Sequence, residues 1–349
     1  MAKILTLVIP TYNMEKYLDR CLTSVIVDDK KTLEQLEVLI IIDGAKDHSS
    51  EIAHKYQERF PQVFKVIDKE NGNYGSCVNR GILEASGKYI KILDADDWFD
   101  TAAFEVYLKK LNLVDSDVVL TNYQRVLDDE TVVKRAVYGY KDFEQLTSER
   151  FSSIIEIEMH AITYRRQTLI DMGYRQTEGI SYTDTEWVML PMVYAQKVTF
   201  VDEMLYQYLV GRDGQTMDPA VLVKAYPQML VVYKSIIEHY SKLQSLGIAS
   251  AYLKDKLFRG LLDVYVLELV RDRNNHCEKL IEFDNFLEDA DKELFASLAE
   301  ASIDKHVPYK IVADWRRRKH AGISRLGCMS FLLIRTLKDW IKRYLMCKS

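Results

Sequence analysis

Two short, mostly apolar runs, Ile4–Ile9 and Leu36–Ile42, constrain this chain more than any other feature. Their apolar side chains occupy successive positions instead of alternating with polar ones, the pattern of a strand buried on both faces. Between them, Tyr17–Val27 sets Leu18, Cys21, Leu22 and Val25 on one helical face. Strand, helix, strand is the repeating unit of a mostly parallel sheet covered by helices. The pattern continues with a helix over Ser50–Phe60, a strand over Val63–Ile67, a helix over Tyr74–Ala85 and a strand over Tyr89–Leu93. A helix over Ala102–Leu113, strands over Asp117–Asn122 and Met159–Tyr164, helices over Gln167–Met172 and Asp184–Ala195, and extended chain over Val198–Gln207 are expected next. Beyond Asp218 the apolar spacing turns to three and four, so the expected organisation is an α/β domain over residues 1–215 and a mainly helical region over residues 216–349.

At 349 residues the chain can bury a core without disulfides, and its five cysteines, odd in number and without a CxxC pair, point to a reducing cytoplasmic setting. The net charge of −5 divides unevenly. Residues 311–349 hold ten Lys or Arg against two Asp, which leaves −13 on the rest. So acidic a body argues against a nucleic-acid partner, while the tail suits an anionic surface. No stretch offers 18 uncharged apolar residues, so no transmembrane helix is expected.

In open α/β sheets ligands bind beyond the carboxyl ends of the strands. Thr11-Tyr12-Asn13, Asp43 and Asp94-Ala95-Asp96-Asp97 all fall at such ends. Three carboxylates within four residues repel one another unless a cation or dense hydrogen bonding compensates. Oxygen ligands favour Mg²⁺ or Mn²⁺; a solvated, helix-capping Asp turn is the plain alternative. Glu70-Asn71-Gly72-Asn73-Tyr74-Gly75 leads into a helix start suited to a diphosphate or carboxylate, although GxGxxG, GxxxxGK[ST] and HExxH are all absent.

Four blocks in order, Ile9-Pro10-Thr11-Tyr12-Asn13, Ile42 to Ser49, Asn71 to Gly75 with Asn79-Arg80-Gly81, and Ser86-Gly87-Lys88-Tyr89 through Trp98, resemble those of family 2 glycosyltransferases. The resemblance covers about residues 3–100 and thins toward residue 210. It implies a GT-A fold and sugar transfer from a nucleotide diphosphate sugar, UDP-linked glucose, galactose or N-acetylhexosamine, to a saccharide or polyprenol-linked saccharide in surface glycan synthesis. It further implies a donor-binding set of Pro10, Thr11, Tyr12, Asp43, Asn71, Asn79, Asp94, Ala95, Asp96 and Arg212. Tyr12 would pack on the base and Asp43 would accept from uracil. Asp96 would be the first metal ligand, Asp94 would touch ribose, sugar or a metal-bound water, and Asp97 would serve behind them or as an alternative ligand. Where the family often has Asp-Asp-Gly-Ser, this chain has Ile42-Asp43-Gly44-Ala45.

Inversion needs a carboxylate on the acceptor side. The segment Gly179 to Trp187 stands where the family places its acidic motif, with Thr183 replacing the first acid, so Asp184 is the expected base and Glu186 the second choice. Asp184 or Thr183 would alternatively cap the helix that follows. His160 would line the acceptor channel or be a buried, hydrogen-bonded histidine. Arg212 would approach the diphosphate or be a loop cation. Lys88 reads as structural, Cys21 and Cys77 as small core residues. Nucleotidyl transfer and a noncatalytic nucleotide-sugar scaffold are the competing functions. At the C-terminus, Arg316-Arg317-Arg318-Lys319 precedes Phe331, Ile334, Leu337, Ile341, Tyr344 and Leu345 at helical spacing, flanked by Arg335, Lys338, Lys342 and Arg343. That pattern fits a helix lying on the inner face of the cell membrane, a cover over the catalytic domain, or the contact of a homo-oligomer.

Overall fold

The structure is a computed structural model and describes residues 2–212, 219–243, 247–271, 278–302 and 309–324. Nine strands form one sheet: β1 (Leu5–Thr11), β2 (Leu36–Asp43), β3 (Phe64–Lys69), β4 (Tyr89–Ile92), β5 (Trp98–Phe99), β6 (Val118–Val126), β7 (Val132–Ala136), β8 (Ile162–Arg165) and β9 (Val198–Leu209). Their order is β3-β2-β1-β4-β8-β6-β9-β5, with β7 paired to β6. β1 runs parallel to β2 and to β4, placing Leu5 opposite both Leu36 and Tyr89. The carboxyl ends of β1, β2 and β4 therefore lie along one edge. β8 is antiparallel to β4 and β6, while β9 is parallel to β6. The expected parallel order thus describes β3-β2-β1-β4, and the other half of the sheet is mixed.

Leu5, Leu7, Val8 and Ile9 of β1 and Val38 to Ile41 of β2 are all fully buried, as strands covered on both faces must be. Glu37 of β2 fixes the turn before β4: it accepts from Thr6 Oγ1 at 2.6 Å, from Ser86 N at 2.8 Å and from Ser86 Oγ at 2.8 Å. The single helix expected over Asp184–Ala195 is instead two pieces, Asp184–Met189 and a 3₁₀ turn Pro191–Tyr194. Pro191 cannot donate into the helix ladder and breaks it there. The helices Lys30–Glu34 and Ser148–Ser152 and the strand β7 were not expected from apolar spacing. They are only five residues long and bury too little to show a period.

The helix Asn73–Glu84 carries a docking face at Gly72, Gly75 and Asn79, spaced three and four. Gly72 O accepts from Gly179 N at 3.0 Å. The Asn79 amide pairs both ways with Gln176, donating to its O and accepting from its N at 2.8 Å each, and donates to Glu178 Oε1 as well. A Cβ at Gly75 would stand 2.0 Å from Thr177 O, so only glycine admits this approach. From the other side, Glu186 accepts from Thr177 N and Oγ1 at 2.7 Å each. Gln176–Gly179 is thereby clamped between the helix Asn73–Glu84 and the helix Asp184–Met189.

The chain divides into two compact units, residues 1–215 with 244–253, and residues 216–243 with 254–349. The sequence placed the whole of 216–349 together; residues 244–253 instead belong to the first unit. They dock there because Gly247 N donates to Val193 O at 2.7 Å and Tyr252 Oη accepts from Ile157 N at 2.7 Å. The second unit contains the helices Pro219–Tyr240, Glu278–Ala290, Lys292–Glu300 and Ile311–Arg317 and most of Ser250–Val266. Its buried Asp284 accepts from Arg316 Nε at 3.0 Å and Nη2 at 2.7 Å and from Tyr265 Oη. Arg316 also donates to Phe295 O at 2.8 Å and lies over the Phe295 ring. Arg316 is therefore a structural cation, and Arg317 and Arg318 both pair with Asp314. The apolar tail positions from Phe331 to Leu345 lie outside the described residues. Among the described residues no helix is long and apolar enough to cross a membrane.

Two substitutions test this packing by urea denaturation of the full chain. Gly75→Ala should destabilise the first unit by about 1–3 kcal/mol, because the methyl group meets a backbone carbonyl that cannot retreat alone. Arg316→Met should cost the second unit about 3–5 kcal/mol by leaving the Asp284 charge buried without its cation.

Candidate active site

The site is built from strand ends that loops tie together. Asn13 Oδ1 accepts from Lys46 N at 2.8 Å, and Glu15 Oε2 accepts from His48 N at 2.9 Å. In the reverse sense, Asp47 Oδ2 accepts from Glu15 N at 2.9 Å and Ser49 Oγ from Met14 N at 2.8 Å. The loops after β1 and β2 are thus fastened side by side. On β1, Pro10 is half-buried, Thr11 is buried with its hydroxyl on Ile9 O, and Tyr12 is 43% exposed, a free aromatic face at the strand end. At the end of β2, Asp43 is buried; its Oδ1 accepts from Lys69 Nζ and, at 2.9 Å, from Gly72 N. Asn71, exposed to solvent, donates to Asp43 O at 2.9 Å and so also holds the strand end.

After β4 comes the carboxylate turn. Asp94 Oδ1 accepts from Tyr74 Oη at 2.8 Å, and its backbone N donates to Tyr206 Oη at 3.1 Å. Asp97 is buried; its Oδ2 accepts from Tyr206 Oη at 2.7 Å and its Oδ1 from Leu209 N at 2.7 Å. Asp96 Oδ2 accepts from Arg212 Nε at 2.6 Å, and Ala95 is buried between the acids. Burial, followed by the charge of Asp96, pushes the Asp94 carboxyl up to about 7, and the same causes push Asp97 well above the usual carboxylate range. These acids are therefore poised to bind a cation that would restore their charge.

His160 stands against this turn. The ring is 6% exposed, stacks on Tyr208 at 4.2 Å between centroids and meets Tyr206 edge-on at 4.7 Å. Burial holds its pKa below the usual value, so it is neutral at pH 7. One ligand atom each from Asp94, Asp97 and His160 lies within 4.8 Å of the others. His160 Nδ1 lies 3.3 Å from Glu158 Oε2. Two carboxylates and a neutral imidazole fit a divalent cation. Beneath them the fully buried Lys91 donates to His160 O at 2.7 Å and Ile162 O at 3.1 Å, and burial draws its pKa down to about 7.

Asp184 opens the helix Asp184–Met189 and is exposed, and its charge contributes to the upward shifts of Asp94 and Tyr74, each of which burial dominates. Its charge is thus felt at the same cluster from a distant part of the chain. The cap residue Thr183 makes no side-chain capping bond, and its hydroxyl accepts from Gln176 Nε2 at 2.9 Å. Glu186 is fully buried and spends both oxygens on Thr177, so it faces the clamp and not the cluster. Asn79 is likewise bonded to Gln176 and Glu178. Arg212 belongs to the cluster through Asp96 and lies 5.8 Å from the Tyr17 ring centroid. Cys21 and Cys77 are buried, as expected, and burial pushes the Cys77 thiol up to about 12.

Tyr74, Tyr206 and Lys91 were not singled out from sequence. Tyr74 lies inside the quoted Asn71–Gly75 block, so a signal was present; nothing local distinguishes Tyr206 among 22 tyrosines or Lys91 among the strand residues.

The sequence model of Glycosyl transferase family 2 matches residues 6–173. Glycosyltransferase GlyG of Streptococcus pneumoniae is 33% identical over 230 residues, covering 62% of this chain and 74% of GlyG. Glycosyltransferase GlyA of the same organism is 25% identical over 223 residues, which cover 60% of this chain but 31% of the longer GlyA. In fold, the chain resembles residues 1–349 of S. aureus TarS, solved in complex with UDP-GlcNAc, with a TM-score of 0.59 at 18% identity over 90% of this chain and 92% of that one. The strand-end carboxylates, the ordered blocks that carry them and these matches lead to one conclusion: the chain belongs to the family 2 glycosyltransferases.

Proposed function

We propose that this glycosyltransferase moves a sugar from a UDP-linked donor, with inversion, to a hydroxyl of a saccharide or polyprenol-linked saccharide in surface polysaccharide synthesis at the inner face of the cell membrane. What supports this reading is the gathering of Asp94, Asp96 and Asp97 at the end of β4 with Arg212 and His160, at a place where the charge of Asp184 is also felt. Tyr12, exposed beyond β1, would stack on uracil, and Asp43 would accept the imide N–H through the oxygen away from Lys69. Asp94, Asp97 and His160 would hold a divalent cation, Mg²⁺ or Mn²⁺, joined by Asp96 once Arg212 turns from it to the diphosphate oxygens. Such a cation neutralises charge on the leaving diphosphate.

Asp184 would accept the acceptor's hydroxyl proton as that oxygen attacks the anomeric carbon. The bond from the anomeric carbon to the diphosphate oxygen breaks on the opposite face, and its electron pair leaves with the diphosphate. Glu186 and Asn79 act at a distance, by holding the clamp that places the Asp184 helix. The UDP-GlcNAc held by TarS makes a UDP-N-acetylhexosamine the first donor to try.

A panel of nucleotide sugars with Mn²⁺ and no acceptor should reveal slow hydrolysis of one UDP-sugar. Silence across the panel would favour a noncatalytic scaffold. Asp184→Asn should lower transfer by roughly 10²–10⁴-fold while leaving UDP affinity nearly unchanged, as calorimetry would record. Loss of UDP binding in D184N, or a product with retained anomeric configuration, would contradict the assignment.

A further inference from the structure

We infer that the face of β6 and β9 carrying Arg125 and Tyr208, with Glu158 beside it, is the subsite for a neutral pyranose ring of the saccharide acceptor. The inference rests on the reading of this protein as a sugar transferase and names what its acceptor side holds. Tyr123 and Arg125 of β6 pair in register with Tyr206 and Tyr208 of β9, so the four side chains share one face of the sheet. The inner two, Tyr123 and Tyr206, are buried, and both meet the His160 ring, at 5.3 and 4.7 Å between centroids. The outer two, Arg125 and Tyr208, are half-buried, with the guanidinium carbon 5.7 Å from the Tyr208 ring centroid. The face therefore runs outward from the carboxylate cluster, closed at its inner end and partly open at its outer one.

Arg125 has more donors than its ion pair uses. Its Nη2 donates to Glu158 Oε1 at 2.5 Å, and among the described residues that is the one hydrogen bond the guanidinium makes, which leaves four of its five N–H donors for a ligand. Solvent reaches the pair, since the side chains are 34% exposed at Arg125 and 24% at Glu158. Glu158 Oε2 lies 3.3 Å from His160 Nδ1, so the carboxylate links the guanidinium fork to the ring on which Tyr208 stacks. Burial dominates the His160 pKa, and the charges of Glu158 and Asp184 both act against it, so the ion pair and the expected base are felt at one ring.

A pyranose offers an apolar C–H face and a rim of hydroxyls that each donate and accept. An aromatic ring beside planar groups that donate and accept in pairs matches both features. The opposite charges of Arg125 and Glu158 offset each other, which suits an uncharged sugar. A fork already held by its carboxylate loses little freedom when that sugar arrives.

Saturation-transfer NMR of the full chain with UDP and Mn²⁺ provides the test, with the methyl glycosides of glucose, galactose and N-acetylglucosamine as probes. Lys134, the register partner of Arg125 on β7, is exposed, so glucuronic acid serves as the charged competitor. At least one neutral glycoside should bind the wild type, and more tightly than glucuronic acid. Arg125→Lys keeps the charge facing Glu158 and removes the fork, so it should weaken that glycoside about 10-fold. Arg125→Leu should weaken it at least as much, and R125K carries the test alone if R125L does not fold. A wild type that hydrolyses a UDP-sugar yet binds none of the glycosides, or prefers glucuronic acid, would overturn this inference and leave the transferase reading standing, as would R125K binding the glycosides like the wild type. Glycoside binding that R125K weakens, without hydrolysis of any UDP-sugar, would uphold the subsite while the transferase reading fell. Neither binding nor hydrolysis would overturn both.

Discussion

Three carboxylates in four residues cannot be buried without help, and the help comes from a strand more than a hundred residues away. Tyr206 touches both ends of the Asp94–Asp97 turn, accepting the Asp94 N–H and donating to Asp97, while the Leu209 N–H meets the other Asp97 oxygen. β9 can do this only because it crosses the sheet beside β6 and pairs with β5, directly after the turn. The mixed half of the sheet therefore follows from the charge held in the parallel half. Burial still raises the affinity of Asp94 and Asp97 for protons, a tendency that a bound cation would oppose.

Asp184 and Glu186 show how one helical turn separates two identical chemistries. Positions two apart on a helix face nearly opposite directions. One acid is consequently exposed, and the other is buried against Thr177 as a hydrogen-bond acceptor. Exposure and committed oxygens distinguish them, where composition does not.

Much of the donor half was legible because its signals are local. β1, β2 and β4 announce themselves as apolar runs, each ends in polar residues, and the site's carboxylates sit at those ends. The remainder was hidden for a physical reason: it depends on pairing across long stretches of chain. Asn79 lies in a block that reads as donor-binding, yet its amide is consumed by Gln176, 97 residues later. The run of arginines from Arg316 reads as surface charge, yet Asp284 draws Arg316 inward. Short elements such as β7 also escape, because five residues with an exposed pattern give no period to count.

The clamp around Gln176–Gly179 bears on how the protein is born. Chains emerge from the ribosome N-terminus first, and contacts between distant residues form late because their loops are costly to close. β1 to β4 can assemble while the partners of Gly75 and Asn79 are still being synthesised. At that stage Asp97 lacks both Tyr206 and Leu209, and the Asp184 helix has nowhere to dock. A nascent chain would therefore own a nearly finished sheet with an unarmed centre. Competence for sugar transfer would then wait until the docking face on the helix Asn73–Glu84 receives its segment, so a truncated translation product would be folded in part yet chemically silent.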